Sequence, residues 1–456
     1  MSRVRACRRV RRYAAQATAR QPMNDPFSTA RDCFLDGVRA FEDGDLVAAE
    51  AALRASLQAV PGRSSTLMNL AATLTRAGRP AQALPLLEEA LAAEPDSVDA
   101  LCHRGAALAA LGQPAQALAA YDDALRLQPG LVPALFQRAV QLNLLGRPAP
   151  ALLALEQLMG GRTPDGEAWF HHGQTLQALG RSDGALQSYD RALALDPGGA
   201  NTWSRRGTLL KDLGRLPEAA HCFEQALALG GDAELNAYFL ASVRSGALPP
   251  APPRAYVEQL FDGYAADFDQ HLVAGLGYRT PSLLAALLPP DQHFDAALDL
   301  GCGTGLMAPL LQPVCSVIDG VDLSAQMLAR ARALGLYRQL WHAEVVSHLQ
   351  QAPERYSLLL AADVFVYVGA LDALFAGVAR VLLPCGSFVF SVEEADCGQA
   401  LQLRPSARYA HSQTYVVDVA AAHGFVVQQV ERQTLRHDQG RPVAGLLMRL
   451  ARDNPA

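Results

Sequence analysis

The chain has 456 residues, half of them hydrophobic, and a formal net charge of -6. That length suits two or three domains with sizeable cores, and the slightly acidic balance argues against a protein that coats nucleic acid or anionic membrane. No apolar stretch runs long enough without a charge or turn former to span a bilayer, and the eight cysteines form neither a C-x-x-C pair nor a Cys/His set at zinc spacing, which predicts reduced core cysteines, no metal and a cytoplasmic protein.

The first twenty residues hold seven arginines and no acid. Composition alone would fit a nucleic-acid arm or an organelle presequence. Lys211 is the only lysine in the chain, however, so arginine is the general-purpose cation and a run of it carries less information. Met23 stands where acids and helical periodicity begin, and residues 1–28 are expected to be a basic, disordered tail.

Glycines then recur at 44, 78, 112, 146, 180 and 214, a fixed period of 34 residues. With starts at 30, 64, 98, 132, 166 and 200, position eight is always small (Gly37, Ala71, Gly105, Ala139, Gly173, Gly207) and position twenty is always alanine. Position 24 supplies a larger plug, from Leu53 to Phe223, and proline at 61, 95, 129 and 197 ends the second helix of four units. Small residues on facing helices let two backbones approach closely. The pattern resembles the tetratricopeptide repeat. That resemblance implies an all-α solenoid over residues 29–243, six repeats plus a capping helix, whose concave groove binds a protein partner. Adjacent His171 and His172 point about 100° apart on a helix and have no third ligand at a suitable spacing.

Residues 244–254 carry four prolines in five positions and are expected to be a semi-rigid connector between separate domains. Beyond it, short apolar runs ("FDAALDL", "VCSVIDGVDL", "YSLLLAADVFVYV", "GSFVFSVE") alternate with helical stretches, which predicts a mostly parallel sheet with helices on both faces. Ligands of such sheets bind beyond the carboxyl ends of the strands. The loop "GCGTG" after the first strand is therefore where a ligand can lie against bare backbone. Its spacing is G-x-G-x-G, not the G-x-G-x-x-G of dinucleotide proteins. Asp322, seventeen residues after Gly305, ends the next apolar run and can accept hydrogen bonds from two ribose hydroxyls.

"LDLGCGTG", "GVDLS" and "LLLAADVFVYVG" resemble motifs I, II and IV of class I S-adenosylmethionine-dependent methyltransferases, over about residues 255–456. Joined to the repeats and to the lead-in "YVEQLFDGYAADFDQHL", the chain is similar to a bacterial group of tetratricopeptide-containing predicted methyltransferases. The resemblance implies a Rossmann-like α/β domain. It implies that Asp299, Gly301, Gly303 and Gly305 wall the methionine part of S-adenosyl-L-methionine, that Asp322 takes the ribose and that Leu323 packs on the adenine. Glu344 is the candidate for the adenine amino group, Asp363 for the methyl end, and Tyr264 with Phe268 for a lid. Arg408, Tyr415 and Tyr367 are substrate candidates.

Methyl transfer from a sulfonium is an in-line displacement, so a general base is needed only if the acceptor holds a proton. His411 is the first candidate for that base and Asp363 the second. The expected function is methyl transfer to a small-molecule or protein acceptor. The alternative is an interaction scaffold whose second domain binds cofactor without turnover.

Overall fold

The computed structural model describes residues 25–161, 164–264, 277–352, 355–438 and 440–453. The basic tail up to residue 24, and Phe268, lie outside the described residues. The chain divides into two compact units, residues 1–197 and 198–456.

The first unit is a run of antiparallel helix pairs: α1 (Pro26–Glu42) with α2 (Leu46–Ala59), α3 (Ser64–Arg76) with α4 (Pro80–Ala93), α5 (Val98–Ala110) with α6 (Pro114–Leu127), α7 (Val132–Leu144) with α8 (Pro148–Gly161), and α9 (Gly166–Ala178) with α10 (Ser182–Leu195). The periodic glycines make the turn inside each pair. Gly78, Gly112, Gly146 and Gly180 all have φ between +67° and +74°, the left-handed region that closes a helix with little strain only for a residue without a Cβ. Two residues later Pro80, Pro114 and Pro148 open the next helix at its first position, where the missing N–H has no intrahelical acceptor to lose. The triplet G-x-P is thus a complete stop-and-restart signal.

Position eight and position 24 of a repeat meet face to face. A Cβ on Gly105 would lie 2.7 Å from the Tyr121 ring, and one on Gly173 would lie 2.7 Å from the Tyr189 ring. Ala71 and Ala139 stand in the repeats whose plugs are the smaller Leu87 and Leu155. Each aromatic plug therefore faces a glycine, and only in the first repeat does a glycine, Gly37, face a leucine, Leu53. Tyr189 is fully buried and its hydroxyl donates to Gln177 Oε1 at 2.9 Å, so the ring has no room to withdraw. Gly173→Ala gains about 1 kcal/mol of helix propensity but meets an overpacking penalty of about 1–3 kcal/mol. A net loss of stability is expected in urea unfolding, and Gly173→Ala with Tyr189→Leu should recover it by recreating the Ala139/Leu155 pairing.

The two adjacent histidines are packing residues. His171 lies edge-on to Phe136 and Phe170, with centroids 5.1 and 5.2 Å away, and His172 Nδ1 is 2.9 Å from Ser188 Oγ.

The second unit begins with the sixth repeat, α11 (Ala200–Asp212) and α12 (Leu216–Ala228), and the cap helix α13 (Ala233–Val243). After the connector come α14 (Arg254–Tyr264) and α15 (Thr280–Ala286). The sheet region then runs β1 (Phe294–Leu300), α16 (Ala308–Leu311), β2 (Cys315–Asp322), α17 (Ala325–Ala333), β3 (Gln339–His342), α18 (Val345–Gln351), β4 (Tyr356–Ala361), α19 (Asp372–Val381), β5 (Leu382–Glu393), β6 (Leu401–Leu403), β7 (Tyr409–His411), α20 (Gln413–Ala422), β8 (Phe425–Asp438) and β9 (Arg441–Arg452).

Seven strands form one sheet in the order β3-β2-β1-β4-β5-β9-β8, parallel from β3 to β5, with β9 antiparallel to both its neighbours. Strands β1 and β4 read as almost unbroken apolar runs because both faces are covered. Leu298, Leu300, Leu359 and Ala361 enter one core cluster, and Ala297, Leu358 and Leu360 enter the other. The order reverses between β1 and β4, which opens a crevice at their carboxyl ends.

Two segments gain detail here. Within the run "YSLLLAADVFVYV", β4 stops at Ala361, Asp363 turns to φ +56°, and a short 3-10 turn follows at Phe365–Tyr367. The proline-rich connector is not a free spacer. Proline cannot donate, but its carbonyl can accept: Tyr409 Oη donates to the Pro249 carbonyl at 2.7 Å and the Gly369 N–H to the Pro250 carbonyl at 2.9 Å.

Candidate functional site

The crevice deepens into a cavity of about 700 Å³. That volume is within the range of pockets that enclose most of a small-molecule ligand. Gly301, Gly303, Asp322, Leu323, Glu344, Asp363, Tyr367 and Arg408, eight of the positions singled out in the sequence, line it.

The loop after β1 leaves its strand at Gly301, with φ +63°, and a Cβ there would stand 2.6 Å from Val364 Cγ2. Asp322 ends the neighbouring β2 and is aimed by backbone: Gly303 N–H donates to Oδ2 and Ser324 N–H to Oδ1, each at 2.8 Å. Burial raises its pKa, opposed by those same N–H groups. Ser324 caps α17 and donates to Asp262 Oδ1 at 2.5 Å, which fastens α14 beside Asp322. Leu323, Met327 and Val345 add an apolar slot next to this carboxylate.

Asp299 and Gly305 sit behind the wall. Asp299 is buried and takes a 2.7 Å hydrogen bond from Tyr337 Oη, and burial lifts its carboxyl to about 7. It supports the loop from below. Gly305, with φ +94°, faces Leu334 and Tyr337, 2.7 and 3.1 Å from where its Cβ would be, so its bareness serves packing. Glu344 lines the cavity but caps α18: its two oxygens accept from Val346 N at 2.8 Å and Ser347 N at 2.7 Å. Tyr264 closes α14, and its side chain lies outside what is described.

Both base expectations and one substrate expectation change. His411 does not reach the cavity: it is fully buried on β7, and its Nε2 donates to the Gly369 carbonyl at 2.8 Å. An imidazole so enclosed cannot approach an acceptor. Tyr415 accepts from Leu371 N at 3.0 Å through its hydroxyl and stacks on His411, away from the cavity wall. Asp363 lines the cavity but is already engaged. Arg436 Nη1 is 3.2 Å from its Oδ2 and Ser391 Oγ donates to its Oδ1 at 2.8 Å, so both carboxylate oxygens already have partners. Tyr367 and Arg408 keep their place in the wall.

Burial pushes the His411 imidazole down to about 4. A depressed base takes up fewer protons folded than unfolded, so stability is full above about pH 6.5, the unfolded value, and falls as pH drops toward 4. The loss should reach about 3 kcal/mol by pH 4. Denaturant midpoints between pH 7 and 4.5 should fall more steeply in the unmodified chain than in His411→Asn.

Residues missed in the sequence complete the wall: Val257, Leu260 and Phe261 from α14, Tyr278 before α15, Arg436 from β8 and Pro252 from the connector. Nothing local in the sequence marks Tyr278 or Arg436. Among the described residues no group of three His, Cys, Asp or Glu side chains is placed to hold a metal, and no helix is long and apolar enough to cross a membrane.

Residues 298–390 match the methyltransferase domain family, and residues 68–132 and 166–198 match tetratricopeptide repeat families. The chain carries tetratricopeptide repeats and a methyltransferase domain. The chain is similar to human methyltransferase-like protein 27, 38% identical over 126 residues, which are 26% of this chain and 49% of the relative. The biotin biosynthesis bifunctional protein BioHC of Saccharophagus degradans is 27% identical over 209 residues, 42% of this chain and 37% of the relative. The chain therefore spans less than half the length of either curated relative. Among solved structures, the N-methyltransferase NodS of Bradyrhizobium japonicum in complex with S-adenosyl-L-homocysteine matches with 16% identity and a TM-score of 0.37, covering 43% of this chain and 98% of that one.

Proposed function

We propose that the methyltransferase domain transfers a methyl group from S-adenosyl-L-methionine to a small-molecule or protein acceptor in the cytoplasm, and that the repeat groove binds a protein partner. The division into an array over 29–243, a connector over 244–254 and a catalytic domain over 255–456 is part of this reading. One observation carries it. At the reversal of strand order, a buried Asp322 is held by two backbone N–H groups beside the bare Gly301 and Gly303, with an apolar slot adjoining.

The residues fit such a cofactor by chemistry. Asp322 has lone pairs left for a ribose diol, Leu323, Met327 and Val345 suit an adenine ring, and the glycine backbone admits a chain close to it. The bound sulfonium supplies an electrophilic methyl group. The protein's task is then to orient the acceptor in line and to keep water out. No lining histidine offers itself as a base among the described residues, and the Asp363 oxygens are already held by Arg436 and Ser391. An acceptor whose nucleophile is already deprotonated, or that loses its proton to water, suits this cavity.

Binding is tested by calorimetry with S-adenosylhomocysteine on the unmodified chain and on Gly303→Arg, which fills the cradle and should abolish the heat. Turnover is tested by incubating the chain with labelled S-adenosylmethionine in cell extract and following label into protein or small molecules. No binding by the unmodified chain would sink the reading.

A further inference from the structure

We propose that the sixth repeat and its cap helix are a working part of the reaction cavity, holding Arg408 at its acceptor end; this rests on the methyl transfer proposed above. The turn between β6 and β7 is gripped at alternate residues from the repeat side. Lys211 Nζ on α11 donates to the Pro405 carbonyl at 3.0 Å, and Tyr238 Oη on α13 donates to the Ala407 carbonyl at 2.8 Å. Tyr409 Oη reaches the connector at Pro249. Ala407 is held at φ +57°, a conformation that alanine adopts only when its surroundings impose it. Arg408, between the last two anchors, is delivered to the cavity wall beside Tyr367 and Asp438, with its Nη1 3.5 Å from Asp438 Oδ2.

The grip is built, not incidental. Lys211 is the one lysine in a chain that otherwise uses arginine, and it is buried. Its ammonium is shared between Asp212 Oδ1 at 2.7 Å, the Pro405 carbonyl and the face of Phe239 at 5.8 Å. A compact ammonium with three donors fits three partners in different directions, where the planar fork of arginine would not. The Tyr238 ring packs against Phe239, Tyr256 and Tyr409, with centroids 6.1–6.2 Å away. From the same side, Glu234 on α13 and Pro252 in the connector reach the cavity directly. The wall of the acceptor end is therefore made jointly by repeat helix, connector and sheet. Arg408 is the group there that can meet an acceptor, and Lys211 and Tyr238 are positioning residues that act through it.

The full chain is compared with Lys211→Met, Tyr238→Phe, Arg408→Lys and the double variant Tyr238→Phe/Arg408→Lys. S-adenosylhomocysteine affinity is read by calorimetry, and label transfer is read over a dilution series of cell extract. The expected result is cofactor affinity within about 2-fold of the unmodified chain, with the half-saturating amount of extract raised about 10-fold in each single variant. The double variant should be no worse than Arg408→Lys alone, because both changes act through one guanidinium. Unchanged half-saturation in Tyr238→Phe and Lys211→Met overturns the proposal, as do additive effects in the double variant or a parallel loss of cofactor affinity. If the unmodified chain binds no S-adenosylhomocysteine, the methyl-transfer reading falls and this one with it, a result distinct from intact binding with unchanged transfer.

Discussion

Asp322→Ala should raise the dissociation constant for S-adenosylhomocysteine by about 100-fold or more, with the chain still folded. A carboxylate that meets a ribose diol makes two charge-assisted hydrogen bonds of about 1.5–3 kcal/mol each, and about 1.4 kcal/mol corresponds to a factor of ten. The carboxylate is also pre-aimed. Gly303 N–H and Ser324 N–H hold its two oxygens before any ligand arrives, so little ordering remains to oppose binding. Asp322→Asn is the sharper comparison, since it keeps the shape and one acceptor oxygen but turns the other into a donor. It should fall between the two, and calorimetry with the cofactor product reads both. If Asp322→Ala binds as tightly as the unmodified chain, the ribose contact is elsewhere and the proposed site is wrong.

The second large effect is expected at Arg436. This guanidinium is 5% exposed and lies between Asp363 and Glu393, which is itself 2% exposed and also bonded to Arg404. Arg436→Met would leave the buried Glu393 and the half-buried Asp363 with one fewer cation. Removing one partner of a buried ionic set costs about 3–5 kcal/mol, a large part of the 5–15 kcal/mol that holds a typical domain together. The thermal transition of the methyltransferase domain should fall sharply or lose its cooperativity, while the helical signal of the repeats persists. Arg436→Met with Glu393→Gln should recover part of the loss, because the amide can still accept from Arg404 without an uncompensated charge. The same set holds Asp363 in its left-handed conformation at the cavity wall. Loss of cofactor affinity should accompany the loss of stability.

The difference between legible and illegible parts follows the range of the interactions. The repeats could be read because each uses the same local devices, a left-handed glycine after one helix and a small residue against a plug sixteen positions on, with proline opening the next helix in several of them. The strands β1, β2, β4 and β5 could be read because burial on both faces makes them nearly continuous apolar runs. The glycine loop and Asp322 stood out because their spacing is set by two adjacent strand ends. By contrast, β3, β6 and β7 are only three or four residues long and partly polar, too short for a period. His411 looked like a base before a helix. Its strand pairing with β6 and the carbonyl of Gly369 enclosed it instead.

By itself, then, the sequence determined the two architectures, the repeat register and the presence of a glycine loop followed by an acid at the next strand end. These depend on patterns written within tens of residues. Only the tertiary structure decided which side chains face the cavity. Asp363 met Arg436 across 73 positions, Tyr238 met Ala407 across 169 and Lys211 met Pro405 across 194. Partners at such separation leave no mark on local propensity or spacing, because the energy that selects them, desolvation matched by a hydrogen bond, exists only once the chain has brought them together.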